Sequence, residues 1–172
     1  VCTLEVVPLP PGSGTTFDAH IVGGAISKGY VPAVRRGVEE TMASGGPLGH
    51  PVVDVAVTLV DGKEHAVDSS EMAFRAAART ALLDALAGAA PVLLEPTSRV
   101  TVTVPVDSQG DVMGDLTSRR ARIEASEPVD DGEQEITAVV PDAEVRRYAV
   151  DLRSLTGGRG RFRVEPVGHE PV

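Results

Sequence analysis

Cysteine is almost missing from this chain. Cys2 is the one example in 172 residues. That excludes an intrachain disulfide and any multi-thiolate metal centre, and it suits a reducing compartment. Aromatic residues are also scarce, with three Phe, two Tyr and no Trp, so the core has to be packed from Val, Leu and Ala. No apolar run approaches the ~20 residues that a membrane-spanning helix needs, and no signal-peptide pattern is visible. The expectation is a cytoplasmic chain with no membrane partner. Positive charge is in deficit: 16 Lys and Arg stand against 25 Asp and Glu, a net charge of −9. Such a balance argues against a general nucleic-acid coat protein. An initiating Met is lacking too. "VCTLEVV" opens the chain as a strand-like run, which predicts a piece of a longer protein.

What is present suits a folded α+β protein. Hydrophobic residues make up 42% and charged residues 24%, enough for a core and not the composition of a disordered chain. The length fits one large domain or two small ones. Residues 1–9 read as a strand, "PLPPGSGTTF" as a turn, and Phe17–Val22 as a second short strand ended by Gly23-Gly24. "YVPAVRRGVEETMASGG" predicts a helix with Pro32 in its first turn, Val34, Val38 and Met42 on one face, and Gly45-Gly46 as its stop. "PVVDVAVTLVDG" predicts a strand in which Val53, Val55, Val57 and Leu59 alternate with polar or small residues, turned by Asp61-Gly62. Asp68 is the expected N-cap of the next helix, with Glu71 completing a capping box. That helix should run from Ser69 to about Ala87 and bury Met72, Ala76, Leu83 and Leu86. "AGAAP" should end it, which places a domain boundary near Pro91.

The second half reads β-α-β-β-α-β. "VLLEPTSRVTVTVP" is a strand, "GDVMGDLTSRR" a helix with Val112, Met113 and Leu116 inward, and "ARIEASE" and "QEITAVVP" strands joined by a "DDGE" turn. "DAEVRRYAVDLRSLT" is a helix, and "GRGRFRVEPV" a last strand with Phe162 and Val164 on one face. This order is the ferredoxin-like split βαβ.

The sequence offers little for covalent chemistry. "PGSGTTF" has no Lys, and in Gly24-Ala-Ile-Ser-Lys-Gly29 a Tyr follows the second Gly where a phosphate loop needs Lys. "GGRGRF" precedes a strand, whereas a phosphate cradle opens a helix. All three read as turns. The four His are scattered, with no helical i, i+4 pair to hold zinc. The basic residues are more informative. All ten in residues 92–172 are Arg, and all but Arg99 fall in the groups Arg119, Arg120, Arg122; Arg146, Arg147; and Arg153, Arg159, Arg161, Arg163. Arg binds phosphate bidentately, so such groups could touch RNA at chosen points on an acidic body.

Six blocks carry a resemblance. "GYVPAVRRGVEE", "HPVVDVAVTLVDG", "HAVDSSEMAFR", "PVLLEP", "GDVMGDLTSRRARIE" and "YAVDLRSLTGGRG" follow the order and spacing of the C-terminal third of bacterial elongation factor G. Residues 1–91 resemble domain IV of that translational GTPase and residues 92–172 its domain V. The resemblance implies that domain IV is an elongated module with a left-handed βαβ crossover, where the general rule would give a right-handed one. It implies that this module enters the decoding site of the small ribosomal subunit and holds the tRNA–mRNA pair during translocation. A second tip loop of the family would lie upstream of Val1. Domain V would lean on large-subunit RNA.

By the same resemblance His65 is the polar probe of the tip loop, and Asp61, Gly62, Lys63, Glu64 and His65 are candidate RNA contacts. It is expected exposed, clear of any pocket, and at the end of the first domain far from the second. Arg119, Arg120, Arg153, Arg159 and Arg161 are the candidates in the second domain. No catalytic residue, metal ligand or cofactor is expected in the chain, which should be monomeric; GTP and Mg²⁺ belong to an N-terminal domain of the parent. The chain departs from the family at Lys63-Glu64, usually Ser-Tyr, at Val145-Arg146-Arg147, usually Met-Phe-Gly, and at Ala121, usually Gly. These departures imply a divergent paralogue from a high-GC organism. The rival readings are a ribosome-recycling or ribosomal-protection paralogue and a stand-alone RNA-binding or interaction module.

Overall fold

The computed structural model describes residues 1–172 apart from 22, 24, 25, 130 and 131. The expected break at Gly23-Gly24, the Gly24–Gly29 run and the "DDGE" turn fall partly on these positions and to that extent lie outside the described residues. The chain forms two compact units, Val1–Leu93 and Leu94–Val172.

The first unit holds β1 (Cys2–Pro8), β2 (Thr15–Ala19), α1 (Val31–Ser44), β3 (Val55–Gly62) and α2 (Glu71–Gly88). Its sheet has the order β1-β3-β2, with β3 antiparallel to β1 and parallel to β2. The Val-rich β3 is central because it is flanked on both sides: Val57 sits opposite Val6 and Phe17, and Leu59 opposite Leu4 and Ala19. Val57 and Leu59 are buried with Val34, Val38 and Met42 of α1, the face expected from the helical period. The "PGSGT" turn is fastened by Asp54. Its carboxylate accepts the Gly12 and Gly14 amides at 3.0 and 2.8 Å, and its carbonyl accepts that of Leu9 at 2.7 Å.

Three local expectations for this unit are corrected. Asp61-Gly62 is not a turn: β3 continues through both, pairing Thr3 with Asp61 and Cys2 with Gly62. Gly62 serves a close approach instead, since a Cβ there would lie 2.7 Å from the Val1 carbonyl oxygen and 2.8 Å from Ile26 Cγ1. The N-cap of α2 is Ser70, not Asp68. Ser70 is extended, and its hydroxyl accepts the Ala73 amide at 3.1 Å, which makes Glu71 the first helical residue. The buried stripe of α2 is Phe74, Ala78, Leu82 and Leu86, whereas Met72 is 80% exposed. Phe74 wins because its ring stacks on Tyr30 with centroids 4.7 Å apart.

The second unit contains β4 (Leu94–Pro105), α3 (Gln109–Ser118), β5 (Arg122–Val129), β6 (Glu133–Pro141), α4 (Asp142–Val145), α5 (Tyr148–Leu155) and β7 (Arg161–Pro171). The sheet order is β5-β6-β4-β7, antiparallel throughout, as the ferredoxin-like reading requires. Val100, Val102 and Val104 of β4 and Ile136, Ala138 and Val140 of β6 pack against Val112, Leu116, Tyr148 and Leu152. The helix expected over 142–156 is two helices joined by Arg146-Arg147. The short α4 buries nothing. The change of direction lets Tyr148 and Leu152, one turn apart, enter the core, where Tyr148 meets Phe162 edge-on at 5.1 Å.

Candidate nucleic-acid interface

The loop after β3 is built to hold a histidine outside the fold. Beyond Gly62 the β ladder makes one more exchange: the Lys63 amide donates to the Val1 carbonyl at 2.9 Å and the Val1 amine to the Lys63 carbonyl at 3.2 Å. The chain then turns on Ser69. Its hydroxyl accepts the His65 amide at 2.8 Å, and its own amide donates to the His65 carbonyl at 3.1 Å. Two neighbours brace this turn. The Glu64 carboxylate accepts the Ser27 amide at 2.8 Å, and the Tyr30 hydroxyl donates to the Ser69 carbonyl at 3.3 Å. The His65 backbone is thus fixed while its ring lies outside the core, with two thirds of the side chain exposed and Nδ1 3.4 Å from the still more open Asp68 carboxylate.

His65 is exposed as expected, but it is not clear of every hollow. With Val1, Lys63 and Asp68 it rims an open depression of about 300 Å³ floored by Ala73 and Phe74. The Phe74 ring is buried and stacked on Tyr30, so the hollow offers a polar rim and no free aromatic face; the imidazole can donate to a ribose or phosphate oxygen. Asp61 and Gly62 lie at the end of β3 beside the loop. Lys63 is exposed, and Glu64 is bent back onto Ser27.

The arginine candidates do not gather into one site, and most are occupied. Arg119 is largely buried. It binds Asp115 at 2.8 Å and Asp151 at 2.7 Å, donates to the Glu144 carbonyl and lies over the Tyr148 ring. Those carboxylates, Asp115 foremost, raise its already high pKa. Its guanidinium is committed to partners within the fold. Arg120 makes a forked pair with Glu95 at 2.6 and 3.0 Å, and Arg161 one with Glu133 at 2.9 and 2.7 Å. Both carboxyls are held below their usual range, chiefly by these hydrogen bonds. Arg159 reaches Asp107 at 3.4 Å. Arg153 is exposed and makes no side-chain bond among the described residues.

The same freedom belongs to Arg146 and Arg147, which sequence reasoning had grouped but not singled out. Arg147 stands one helical turn before Asp151, the spacing of an ion pair, yet Asp151 is taken by Arg119. The sheet face away from the helices carries Arg99, Thr101, Thr103, Glu135, Thr137, Arg161 and Arg163 in register and no aromatic among the described residues. Phe162 is turned inward, opposite Val102.

A three-stranded mixed sheet with two helices, followed by an antiparallel βαββαβ sheet, is a tandem of α+β modules with no cluster of metal-binding side chains among the described residues. Comparison with known proteins resolves the class. Residues 1–90 match the family model "Elongation factor G, domain IV" and residues 92–172 the model "Elongation factor G C-terminus". The chain belongs to the elongation factor G family. The two matches fill it, so the family's GTPase domain is not within these residues. The chain is 46% identical over its whole length to the elongation factor G-like proteins of two Mycobacterium tuberculosis strains, CDC 1551 / Oshkosh and ATCC 25618 / H37Rv. It spans 24% of the length of each. A crystal structure from Thermus thermophilus superposes with a TM-score of 0.84 at 37% identity, covering 98% of this chain and 25% of that one. No described helix is long and apolar enough to cross a membrane.

Proposed function

We propose that this chain is the ribosome-contacting part of a cytoplasmic translational GTPase. In this reading residues 1–91 form the arm that enters the decoding site, and residues 92–172 lie against large-subunit RNA while the parent, elsewhere in its sequence, binds and hydrolyses GTP. The observation that carries the proposal is the His65 loop. Its backbone is fixed by Ser69 and braced by Ser27 and Tyr30, yet its ring has no role in packing. A fixed backbone lowers the ordering cost of binding, and a free imidazole supplies the contact. The stand-alone RNA-binding module is disfavoured, because such sheets stack bases on exposed aromatic side chains and this sheet face offers none among the described residues. Within the ribosomal class, the Lys63-Glu64 departure and the likeness to proteins named elongation factor G-like favour a divergent paralogue over a principal translocase, with a recycling or protection role as the alternative.

The test is co-sedimentation of the chain with intact ribosomes whose decoding site is empty or filled by tRNA. Saturable binding that tRNA displaces is expected. His65→Ala should weaken it roughly ten- to hundred-fold, the worth of one contact of about 1–3 kcal/mol. The melting curve should be unchanged, since exposed substitutions stay within about 0.5 kcal/mol. Binding that tRNA does not displace would sink the decoding-site reading. A large loss of stability in His65→Ala with binding intact would make the histidine structural.

A further inference from the structure

Glu64 is tied to a residue 37 positions away: its carboxylate accepts the Ser27 amide at 2.8 Å. Both residues are exposed, so the bond adds little to the core. Its consequence lies in what it closes. The Ser27 carbonyl accepts the Tyr30 amide at 3.0 Å. The Tyr30 hydroxyl donates to the Ser69 carbonyl at 3.3 Å, and the Ser69 hydroxyl accepts the amide of His65, the neighbour of Glu64, at 2.8 Å. Glu64, Ser27, Tyr30, Ser69 and His65 thus form a closed ring of hydrogen bonds and chain. The ring stands on packed supports. Tyr30 stacks on Phe74, and Ile26, next to Ser27, is buried and lies against Gly62.

Within the loop Glu64 has a task that no other side chain shares. The β ladder ends at the exchange between Lys63 and Val1. The Ser69 hydroxyl bonds inside the loop, to His65, and the His65 and Asp68 side chains face each other. Of residues 63–69, Glu64 is the one whose side chain hydrogen-bonds to another segment among the described residues. Its charge argues against such a place on a surface that meets RNA, because a carboxylate repels phosphate. The surroundings temper that cost. The chain has two lysines, Lys28 and Lys63, and each adjoins one end of the Glu64–Ser27 bond.

We propose that Glu64 is a positioning residue for His65: by accepting the Ser27 amide it holds the loop in its binding conformation, and so raises affinity for the ribosome in spite of its charge. The proposal rests on the ribosomal reading for its target and deepens it by assigning the residue that sets the loop. Charge and position predict opposite signs. If Glu64 acts only as a negative charge, every neutral replacement strengthens binding. If it acts as an acceptor, Ala weakens binding, while Gln, whose amide oxygen still accepts, does not. A loop released from its tie spends part of its time in other conformations, and apparent affinity falls with the competent fraction. The loss of one ordinary intramolecular hydrogen bond makes that about three- to tenfold.

The experiment pairs amide hydrogen exchange on the free chain, read by NMR, with co-sedimentation on intact ribosomes. The variants are Glu64→Ala, Glu64→Gln and Ser27→Pro, with both Glu64 changes repeated in a His65→Ala chain. Ser27→Pro removes the donor from the other end of the bond, and the Ser27 backbone, φ −65° and ψ 144°, is one that proline adopts. In Glu64→Ala the Ser27 and His65 amides should exchange about three- to tenfold faster, and ribosome affinity should fall by a similar factor. Ser27→Pro should lose as much affinity, and Glu64→Gln should recover both exchange and affinity. In the His65→Ala chain the difference between Ala and Gln at position 64 should all but vanish, because one residue acts through the other. Melting curves check folding, and the Ala and Gln pair carries the test by itself if Ser27→Pro does not fold. Glu64→Ala binding as tightly as Glu64→Gln would overturn the inference and leave the ribosomal reading standing. Exchange rates unmoved by Glu64→Ala would overturn it as well, and so would an Ala–Gln difference that persists without His65. Faster exchange in Glu64→Ala, recovered by Gln, in a chain that binds no ribosome would uphold the positioning of the loop and reject the ribosomal reading.

Discussion

Gly37→Ala sets two effects against each other, and the structure decides between them. Gly37 is buried in the middle of α1. Helix propensity favours Ala over Gly by about 1 kcal/mol, so a sequence argument predicts stabilisation. The packing says the reverse. A Cβ on Gly37 would lie 2.6 Å from the Arg75 carbonyl oxygen, 3.0 Å from Arg75 Cα and 3.1 Å from Ala78 Cβ. Two of these atoms are backbone of α2, so no side chain can rotate out of the way. The helices have to separate, around Val34, Val38 and Ala78, none of which has measurable exposure. Overpacking of this kind costs about 1–3 kcal/mol. The tightest approach is to backbone, which puts the cost in the upper part of that range, about 2–3 kcal/mol; less the propensity gain of about 1 kcal/mol, we expect a net loss of about 1–2 kcal/mol, which in a unit of this size lowers Tm by roughly 5–15 °C. Gly114→Ala is the control: it lies on the exposed side of α3 with nothing within 4 Å of its added Cβ, so propensity should act alone and raise Tm slightly. The assay is thermal unfolding followed by circular dichroism. An unchanged or raised Tm for Gly37→Ala would refute the close helix crossing.

Three further outcomes are expected. Ser70→Ala should cost about 1 kcal/mol while Asp68→Ala costs almost nothing, and the reverse ranking in denaturant melts would restore Asp68 as the cap. The Tyr148 hydroxyl is buried without a partner, so Tyr148→Phe should match the parent chain or gain up to about 1 kcal/mol. Burial also pushes the Tyr148 pKa up, so the stability it contributes is full below pH ~10 and lost above it; a Phe variant that falls as steeply in alkali would contradict this. Hydrogen bonds from Arg120 and Arg161 hold the Glu95 and Glu133 carboxyls below their usual range, so their contribution is present above pH ~4.3 and fades as pH falls through the lowered values. Arg120→Ala should flatten the fall of Tm between pH 6 and 3, and an unaltered acid limb would show the pair to be inert.

Where a signal was local, the sequence carried it. Helix α1 was readable because Val34, Val38 and Met42 recur at the helical period between a proline and a glycine. The second unit was readable because β-branched runs alternate with short helical patterns. The stripe of α2 was not, because an alanine-rich helix hardly prefers one face and Phe74 is chosen by a Tyr30 that lies far from it in sequence. Asp61-Gly62 carries a turn signature, yet β3 continues its ladder through both residues and needs that glycine for room against Ile26. The arginines were the least readable. Several of their partners come from afar, 25 residues for Arg120 with Glu95, 28 for Arg161 with Glu133 and 32 for Arg119 with Asp151. Which guanidinium is free is therefore a property of the fold. The braces of the His65 loop are non-local in the same way, with Glu64 reaching Ser27 across 37 positions.

The central claim is that the two units face different ribosomal subunits, and directed hydroxyl-radical cleavage reads this from the RNA itself. Cys2 is buried, and burial pushes its thiol pKa up; replacing it with Ala leaves a chain that can be labelled at one chosen position. Iron tethered at Val67→Cys, beside His65 where the side chain is 84% exposed, samples the first unit. Iron at Val150→Cys, 64% exposed, samples the second. With the labelled chain bound to intact ribosomes, the account predicts cleavage of small-subunit RNA around the decoding site from position 67 and of large-subunit RNA from position 150. Cleavage confined to the large subunit from position 67, or the same pattern from both positions, would contradict it.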